Sequence, residues 1–592
     1  MTGVIGNAPI YVNGLLSLLF VFVLPGLACA SFLRIGEFPQ RWFAIFLISL
    51  VANHLLVTLI AAFHLDPLLT YRVTACVVLI VPIAVAIVRR YRPGPPAASG
   101  QAATLYASDL GWLAVSTVAL AVTYFNLWKH GVPNVFGGGD VLVSWNDWAL
   151  IWSQGNFPTS ALGYPQFIPT LWAVTYIFTG SPEQYFAFYI YVGLIMFPIL
   201  LNAMILGRIS WWHPLVPGLA FVWLIAEIRM PWLRATLQEG FPDWVAAIFA
   251  SCGVVLFAVS APKGRFERDK IVNALLALCL VSLAAATKPM YGLLALAVLA
   301  GICTDACQNL AAAERNRFLL AAAGLLLVIA ALYAIYFAHI TARGMPYFPA
   351  VSLRERLSLA VNLFNSNFTI PFRIIFVLGL LLCPFVKRLR WFALPLYVAV
   401  GIWANTAAYD LRNLLGFVLV GIFVPFYAGA SRWLDPKPVP NGRQWRVRDG
   451  IVAATLAVAT FALTSTLAMA DRDLKRRFAD DQLRIDAGFE LNQKVGEVLR
   501  RGCKVFSATG SILHIVAFAP FRSQVQTFFF SLPLEDSFSL ALERSTGCTA
   551  VFYPPTLTHP SNLSFIADYG RTRGGWKKVI EGNGMELLVT ER

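Results

Sequence analysis

Ile10-Tyr-Val-Asn-Gly-Leu-Leu-Ser-Leu-Leu-Phe20-Val-Phe-Val-Leu-Pro-Gly-Leu-Ala-Cys-Ala30-Ser-Phe-Leu33 carries no charged residue and stops at Arg34. Wound as an α-helix it would measure about 36 Å, longer than the roughly 30 Å hydrocarbon core of a bilayer. Such a run reads as a membrane-spanning helix, and no small-residue cleavage site comes after it that would make it a removable signal. Runs of this kind recur about fourteen times. The expected spans lie near 12–33, 42–63, 70–88, 109–128, 184–207, 211–228, 243–261, 271–286, 290–305, 317–340, 370–386, 391–406, 412–430 and 450–469. Inside a bilayer each segment must satisfy its own backbone hydrogen bonds, and runs of this length do so as helices, being too long for barrel strands. The composition agrees, with 58% hydrophobic and 13% charged residues and a mean hydropathy of +0.67 over 592 residues. An ordinary soluble protein is excluded. The expected fold is an α-helical polytopic membrane protein.

The formal net charge of +15 could suggest nucleic acid as a partner. The Lys and Arg residues, however, fall in short clusters between apolar runs rather than on one soluble face, so they read as topology determinants and no nucleic acid is expected. Alternate loops collect them: Arg34 and Arg41; Arg89, Arg90 and Arg92; Arg208; Lys263, Arg265, Arg268 and Lys270; Arg315 and Arg317; Lys387, Arg388 and Arg390; then Arg432, Lys437, Arg443, Arg446 and Arg448. These loops are expected to be cytoplasmic. Residues 129–183, 229–242 and 341–369, everything from Asp471 onward, and the N-terminus then fall outside. The apolar stretch Phe167 to Phe178 is too short to span and is read as a juxtamembrane or re-entrant helix.

Residues 471–592 have the patterning of a separate water-soluble domain. A polar helix from Asp480 to Arg500 precedes Cys503-Lys-Val-Phe-Ser-Ala-Thr-Gly510, which reads as a strand ending in a Gly turn, and Cys548-Thr-Ala-Val-Phe-Tyr-Pro554 reads as a second. The helical pattern of 533–545 between them suggests βαβ and a small α/β domain with a parallel sheet. Cys503 and Cys548 each come directly after a glycine and open an expected strand. Neighbouring parallel strands would bring their Cα atoms within about 7 Å, where an oxidising compartment permits a disulfide; the alternative is two reduced core residues.

Three outer segments could carry chemistry. The first is Gly137-Gly-Gly-Asp140-Val-Leu-Val-Ser-Trp145-Asn-Asp147-Trp148, continued by Gly155-Asn-Phe157 and Tyr164-Pro165-Gln-Phe-Ile-Pro169. If it is α-helical, Asp140 and Asp147 share a face two turns apart. A carboxylate at the membrane boundary, among Trp rings able to stack on sugars, suits a general base for an acceptor hydroxyl; the competing reading makes Asp140 a helix cap and the Trp residues an interfacial belt. The second is Ala408-Tyr409-Asp410-Leu411-Arg412-Asn413, where an arginine on the non-cytoplasmic side needs Asp410 or an anionic ligand such as phosphate. The third is Thr287-Lys288-Pro289, another outward cation, whose alternative role is snorkelling.

These segments resemble, in order and sidedness, the GT-C superfamily of membrane glycosyltransferases, including the bacterial aminoarabinose transferase and protein mannosyltransferases, which use polyprenyl-phosphate sugars. Asp140 takes the position of the family's catalytic Asp. Gly155 and Tyr164-Pro165 to Pro169 match the family's glycine and Tyr-Pro stretch downstream of that Asp, and Arg412-Asn413 match the late motif that touches the lipid-linked phosphate. Lys288-Pro289 is similar to the family lysine at an outer helix junction, and Gly240-Phe-Pro-Asp243 to an acid that opens a helix. The acidic pair usual in the family is broken here by Val141, which leaves Asp147 a rival base. The resemblance covers roughly residues 110–592. It implies additional N-terminal transmembrane helices over 1–108, a GT-C-like catalytic domain over 109–470 with outer loop 129–183, and a periplasmic α/β domain over 471–592.

The resemblance implies a multi-pass bacterial inner-membrane enzyme that moves one sugar from polyprenyl phosphate to an envelope glycan, lipid or protein acceptor, with inversion. Asp140 or Asp147 would be the base; Arg412, Lys288 and Asn413 would hold the donor phosphate; Trp145, Trp148, Tyr164, Asp243 and Tyr409 would contact substrate. Membrane lipid is the surrounding partner. No cofactor is expected, because the donor carries its own leaving group, and no Walker motif, GxGxxG motif or metal-ligand spacing is seen. Two alternatives stay open. A glycan polymerase or ligase would use His339, Arg343, Arg354 and Arg356 in the late outer segment, and a lipid-linked glycan transporter would call for internal repeats.

Overall fold

The computed structural model describes residues 8–30, 37–91, 109–111, 113–114, 117–118, 136, 141–158, 164–180, 184–209, 212–228, 233, 236–237, 240–260, 268–310, 312–339, 353–386, 389–407, 411–434, 494–507, 523–528, 530, 533–534, 536–582 and 585–590. The chain forms two compact units, Met1–Phe136 with Trp148–Met469 and Gly137–Asp147 with Ala470–Arg592. Residues 137–147, which their place in the sequence groups with the membrane helices, therefore belong to the second unit.

The first unit is helical. Its described helices are α1 (Ala8–Phe22), α2 (Leu24–Ala30), α3 (Phe38–Ala62), α4 (Pro67–Tyr91), α5 (Asp147–Ser153), α6 (Phe167–Thr179), α7 (Tyr185–Ile209), α8 (Leu215–Glu227), α9 (Pro242–Ser260), α10 (Arg268–Ala285), α11 (Gly292–Asn309), α12 (Ala312–His339), α13 (Leu353–Asn367), α14 (Ile370–Leu382), α15 (Ala393–Ile402) and α16 (Leu415–Leu434). The run that opens the chain divides at Val23, two residues before Pro25, whose missing N–H interrupts the helical ladder. Expected span 109–128 is described only in helical fragments between 109 and 118, and 450–469 lies outside the described residues.

The fourteen runs are not equivalent as crossings. Among the described residues six helices are long and apolar enough to cross a membrane, and a seventh crossing results if Ile370–Phe385 and Arg390–Asn405, bent by 115°, are one span. Pro67–Val81, Leu215–Ile225 and Ile271–Ala285 are apolar but short. The first unit is that of a multi-pass membrane protein.

Helix α6 has the 13 residues expected of a non-spanning element, about 20 Å. Every residue from Phe167 to Ile177 is buried, and α1, α3 and α7 pack around it, so it is an internal helix and not one lying half-exposed at an interface. Helix α9 is the centre of the unit, almost wholly buried against α7, α10 and α16. Arg208, expected only to set topology, is ion-paired with buried Asp109 and with Glu37.

In the second unit Val141–Asn146 is wound as a π-helix. The shared-face argument for Asp140 and Asp147 rests on α-helical spacing, and the wider i→i+5 winding removes it. The C-terminal part holds β1 (Lys504–Ser507), β2 (Val525–Thr527), α17 (Asp536–Glu543), β3 (Thr549–Tyr553), α18 (Pro560–Thr572), β4 (Lys577–Gly582) and β5 (Met585–Thr590). The sheet order is β2-β1-β3-β5-β4, with β1 parallel to β2 and β3, and β5 antiparallel to β3 and β4. The parallel β1–β3 pair with α17 in the connection agrees with the βαβ expectation, but strand β2 also lies in that connection and two antiparallel strands extend the sheet.

Side-chain alternation along β1 and β3 builds a core on each face. Val505, Ala550 and Phe552 pack with Val495, Val498, Leu499, Leu587 and Val589, whereas Phe506, Val551 and Tyr553 pack with Phe538, Leu542, Ile566 and Tyr569. Lys504 pairs in register with Thr549, so the residues before them stand side by side. Cys503 and Cys548 are disulfide-bonded there, their Cα atoms 4.5 Å apart.

Candidate functional site

Three breaks between helices bring the site residues of the first unit together. At the first, α10 ends at Ala285 and Pro289 opens a short 3₁₀ turn, Pro289–Tyr291, ahead of α11. Lys288 precedes the proline and is held extended, at φ −141° and ψ 115°, because the proline ring disfavours helical backbone before it. Its side chain therefore leaves the helix path at the junction.

At the second break, Gly240-Phe241-Pro242-Asp243 leads into α9. Gly240 has φ +96°, a conformation L side chains rarely adopt, and a Cβ there would collide with the ring of Phe136. Phe136 is fixed by its amide, which donates to Gln184 Oε1 at 3.1 Å, and by the Trp172 ring at 4.2 Å. Pro242 takes the first helical position, and Asp243 sits in the first turn, where the helix dipole favours a carboxylate.

At the third, a π-helical turn (Trp403–Ala407) and a 3₁₀ turn (Leu411–Leu414) precede α16. Arg412 thus stands at a helix N-terminus, the end where the dipole disfavours a cation.

Lys288 and Asp243 meet, with Nζ 2.9 Å from Oδ1. The approach is out of line for a hydrogen bond to Oδ1, so this is a charge–charge contact. Asp243 is only 2% exposed and Lys288 15%. The Lys288 ammonium also lies 5.7 Å from the centre of the Tyr164 ring, which in turn is 5.9 Å from Trp148. The Arg412 guanidinium is 4.5 Å from the ring of Phe241, two residues before Asp243. The Lys288 and Arg412 turns are joined through Tyr291: the Gly416 amide donates to its hydroxyl at 3.0 Å, and its ring stacks on Phe417 at 5.1 Å. Two cations and one carboxylate are thereby fixed among aromatic rings, an arrangement that suits an anionic ligand.

Of the site residues expected from sequence, Asp243, Lys288, Tyr164 and Trp148 follow one another in a chain of contacts, and Arg412 packs on Phe241, two residues before Asp243. Asn413 is partly buried beside Arg412. Asp147 opens α5 and belongs to the second unit, as does Trp145. Asp140, Tyr409 and Asp410 lie outside the described residues. The expectation that Trp rings stack on a sugar needs correction: Trp145 is 3% and Trp148 6% exposed, whereas Tyr164 is 39% exposed and is the open aromatic face. The Trp rings are large enough to be taken into the packing, and that packing fills their faces.

Phe241 and Gln166 are not anticipated from sequence. Gln166 accepts from Trp152 Nε1 at 3.0 Å and donates to the Tyr164 carbonyl at 3.0 Å, tying the loop before α6 to α5. The signal for Phe241 was available in Gly240-Phe-Pro-Asp243, a turn that must project its central side chain. Arg356, a residue the polymerase reading relies on, donates to both the backbone and side-chain oxygens of Asn405 at 3.3 Å, in the π-turn ahead of Arg412. Among the described residues no cluster of His, Cys, Asp and Glu could hold a metal ion.

No protein-family model matches the chain, and no curated protein matches it. Solved structures similar to it include ArnT from Cupriavidus metallidurans bound to undecaprenyl phosphate, 12% identical, aligned over 81% of this chain and 98% of that one at a TM-score of 0.46. The same protein in the apo state is 14% identical over 82% of this chain and 98% of that one, at a TM-score of 0.48.

Proposed function

We propose that this protein is a membrane glycosyltransferase that moves a single sugar from a polyprenyl-phosphate donor to an envelope glycan, lipid or protein on the periplasmic face, with inversion. The observation that carries the reading is the ion pair of Lys288 with buried Asp243, set beside Arg412, which packs on Phe241 of the turn that leads to Asp243. Two cations held against aromatic rings at neighbouring helix breaks suit a lipid phosphate, which accepts charge-assisted hydrogen bonds from both. Arg412 and Lys288, with Asn413, hold the phosphate; Tyr164 offers its exposed face to the sugar; Trp148 backs the Tyr164 ring, and Tyr409 and Asp243 complete the substrate walls.

In the reaction the acceptor oxygen bonds to the anomeric carbon while the bond from that carbon to the phosphate oxygen breaks. The lipid phosphate leaves with the electron pair, and the two cations stabilise its charge. The acceptor proton passes to a carboxylate, Asp140 or its rival Asp147. No nucleotide takes part. The periplasmic placement is supported by the distribution of positive loops and by the Cys503–Cys548 disulfide, a bond that persists in oxidising compartments.

The test is transfer of labelled sugar from polyprenyl phosphate by the purified full-length protein, with mass spectrometry of envelope glycans from cells with and without it. Asp140→Asn is expected to lower turnover by about 10²-fold or more, the usual contribution of a positioned base. Near-normal turnover by Asp140→Asn together with a comparable loss in Asp147→Asn would move the role to Asp147. Absence of any transfer by the wild type would overturn the reading.

A further inference from the structure

Helices α3 and α4 of the N-terminal addition reach the loop that carries Tyr164. Gly155, just after α5, packs against them and the turn between them: a Cβ at that position would lie 3.7 Å from Ile60 Cγ2 of α3, 3.4 Å from Pro67 Cγ of α4 and 3.5 Å from the carbonyl oxygen of Leu65 in the turn. A second contact lies deeper. His54 is buried in α3, eight residues from the Ala62 end, or about 12 Å along the axis. At that depth in a membrane helix a histidine needs a defined partner.

The partner is Thr170 in the first turn of α6, whose Oγ1 lies 2.7 Å from His54 Nδ1. The hydrogen-bond pattern assigns the proton. A threonine hydroxyl has one hydrogen, and Thr170 gives it to the Phe167 carbonyl at 2.7 Å, so Nδ1 of His54 carries a hydrogen and donates to Thr170. The Phe167 ring meets the His54 ring edge-on at 5.5 Å. Gln166, the next residue back, holds the Tyr164 carbonyl at 3.0 Å and receives Trp152 Nε1 at 3.0 Å. An unbroken set of contacts thus runs from α3, through the start of α6, to the aromatic ring under Lys288.

We infer that His54 is a positioning residue: by donating from Nδ1 to Thr170 it fixes the start of α6 and so sets the place of Tyr164 against Lys288. Helix α3, on this inference, serves the site as well as the membrane. The assignment of a substrate role to Tyr164 rests on the transferase reading; the dependence of the loop on His54 does not.

The test uses hydrogen–deuterium exchange on the full-length protein in detergent, alongside donor kinetics. His54→Leu is expected to raise exchange of the amides of Tyr164, Gln166, Phe167, Ile168 and Thr170 by about tenfold, the scale of one lost buried hydrogen bond, with the rest of α3 and α6 unchanged. His54→Asn, whose amide N–H can take the place of Nδ1–H, should restore protection. Thr170→Val should act like His54→Leu, and the double variant should be no worse than either. In the transfer assay His54→Leu should raise the donor KM about tenfold with kcat within about twofold, again restored by His54→Asn. Exchange unchanged at 164–170, or raised equally throughout the helices, would overturn the inference by leaving His54 no more than a packing residue. Local exchange that rises and is restored by His54→Asn, in a protein that transfers no sugar, would uphold the positioning and refute the transferase reading alone.

Discussion

Lys288→Met removes one half of the ion pair on which the site is built, and the two partners differ in a way that sets the outcome. Asp243 is 2% exposed and its carboxylate faces Lys288 at 2.9 Å, whereas Lys288 is 15% exposed and also lies 5.7 Å from the Tyr164 ring. Losing the lysine strands a buried carboxylate; losing the carboxylate leaves a cation that retains its ring and some solvent. Breaking a buried pair from one side costs about 3–5 kcal/mol, so Lys288→Met should approach that figure and Asp243→Asn should fall clearly below it. The double variant Asp243→Asn with Lys288→Met buries no lone charge and should return to within about 1 kcal/mol of the wild type, because a buried pair contributes little net stability over neutral groups of similar shape. Unfolding of all four proteins in one detergent, monitored by tryptophan fluorescence, measures the cycle. Donor binding should not return in the double variant, since the phosphate has lost one of its cations. If Lys288→Met is as stable as the wild type, or the double variant is no more stable than Lys288→Met, the pair is not coupled and the account of the site is wrong.

Gly240→Ala should destabilise the protein by about 1–2 kcal/mol from backbone strain and more from displacing Phe136, and it should disturb donor binding through Asp243; unchanged stability would show that the turn can relax. Cys503→Ser with Cys548→Ser opens a link across a sequence separation of 45, removing about 4 kcal/mol by loop-closure entropy, which reductant titration of unfolding can check against the intact protein. Two free thiols in protein from intact cells would contradict the bond and with it the periplasmic placement. Arg412→Ala should weaken donor binding more than acceptor binding, read by direct titration with a polyprenyl-phosphate sugar; equal affinities would remove Arg412 from the phosphate.

Much of the architecture is legible in the sequence because it depends on local composition. Apolar runs mark the helices, since each must satisfy its own backbone in lipid, and Pro289 and Pro242 mark the breaks where Lys288 and Asp243 emerge. The strands at Cys503 and Cys548 and their parallel pairing are legible from alternation with a helical pattern between. What no local pattern contains is which breaks meet. Lys288 and Asp243, or Arg412 and Phe241, are joined only by the packing of α9, α10, α11 and α16. The same holds for the winding of Val141–Asn146 as a π-helix, the antiparallel strands added beyond β3, and the burial of Trp145 and Trp148 while Tyr164 stays open. An aromatic side chain has the same sequence signature whether its face is filled by a neighbour or left for a ligand, and only the tertiary contacts decide between them.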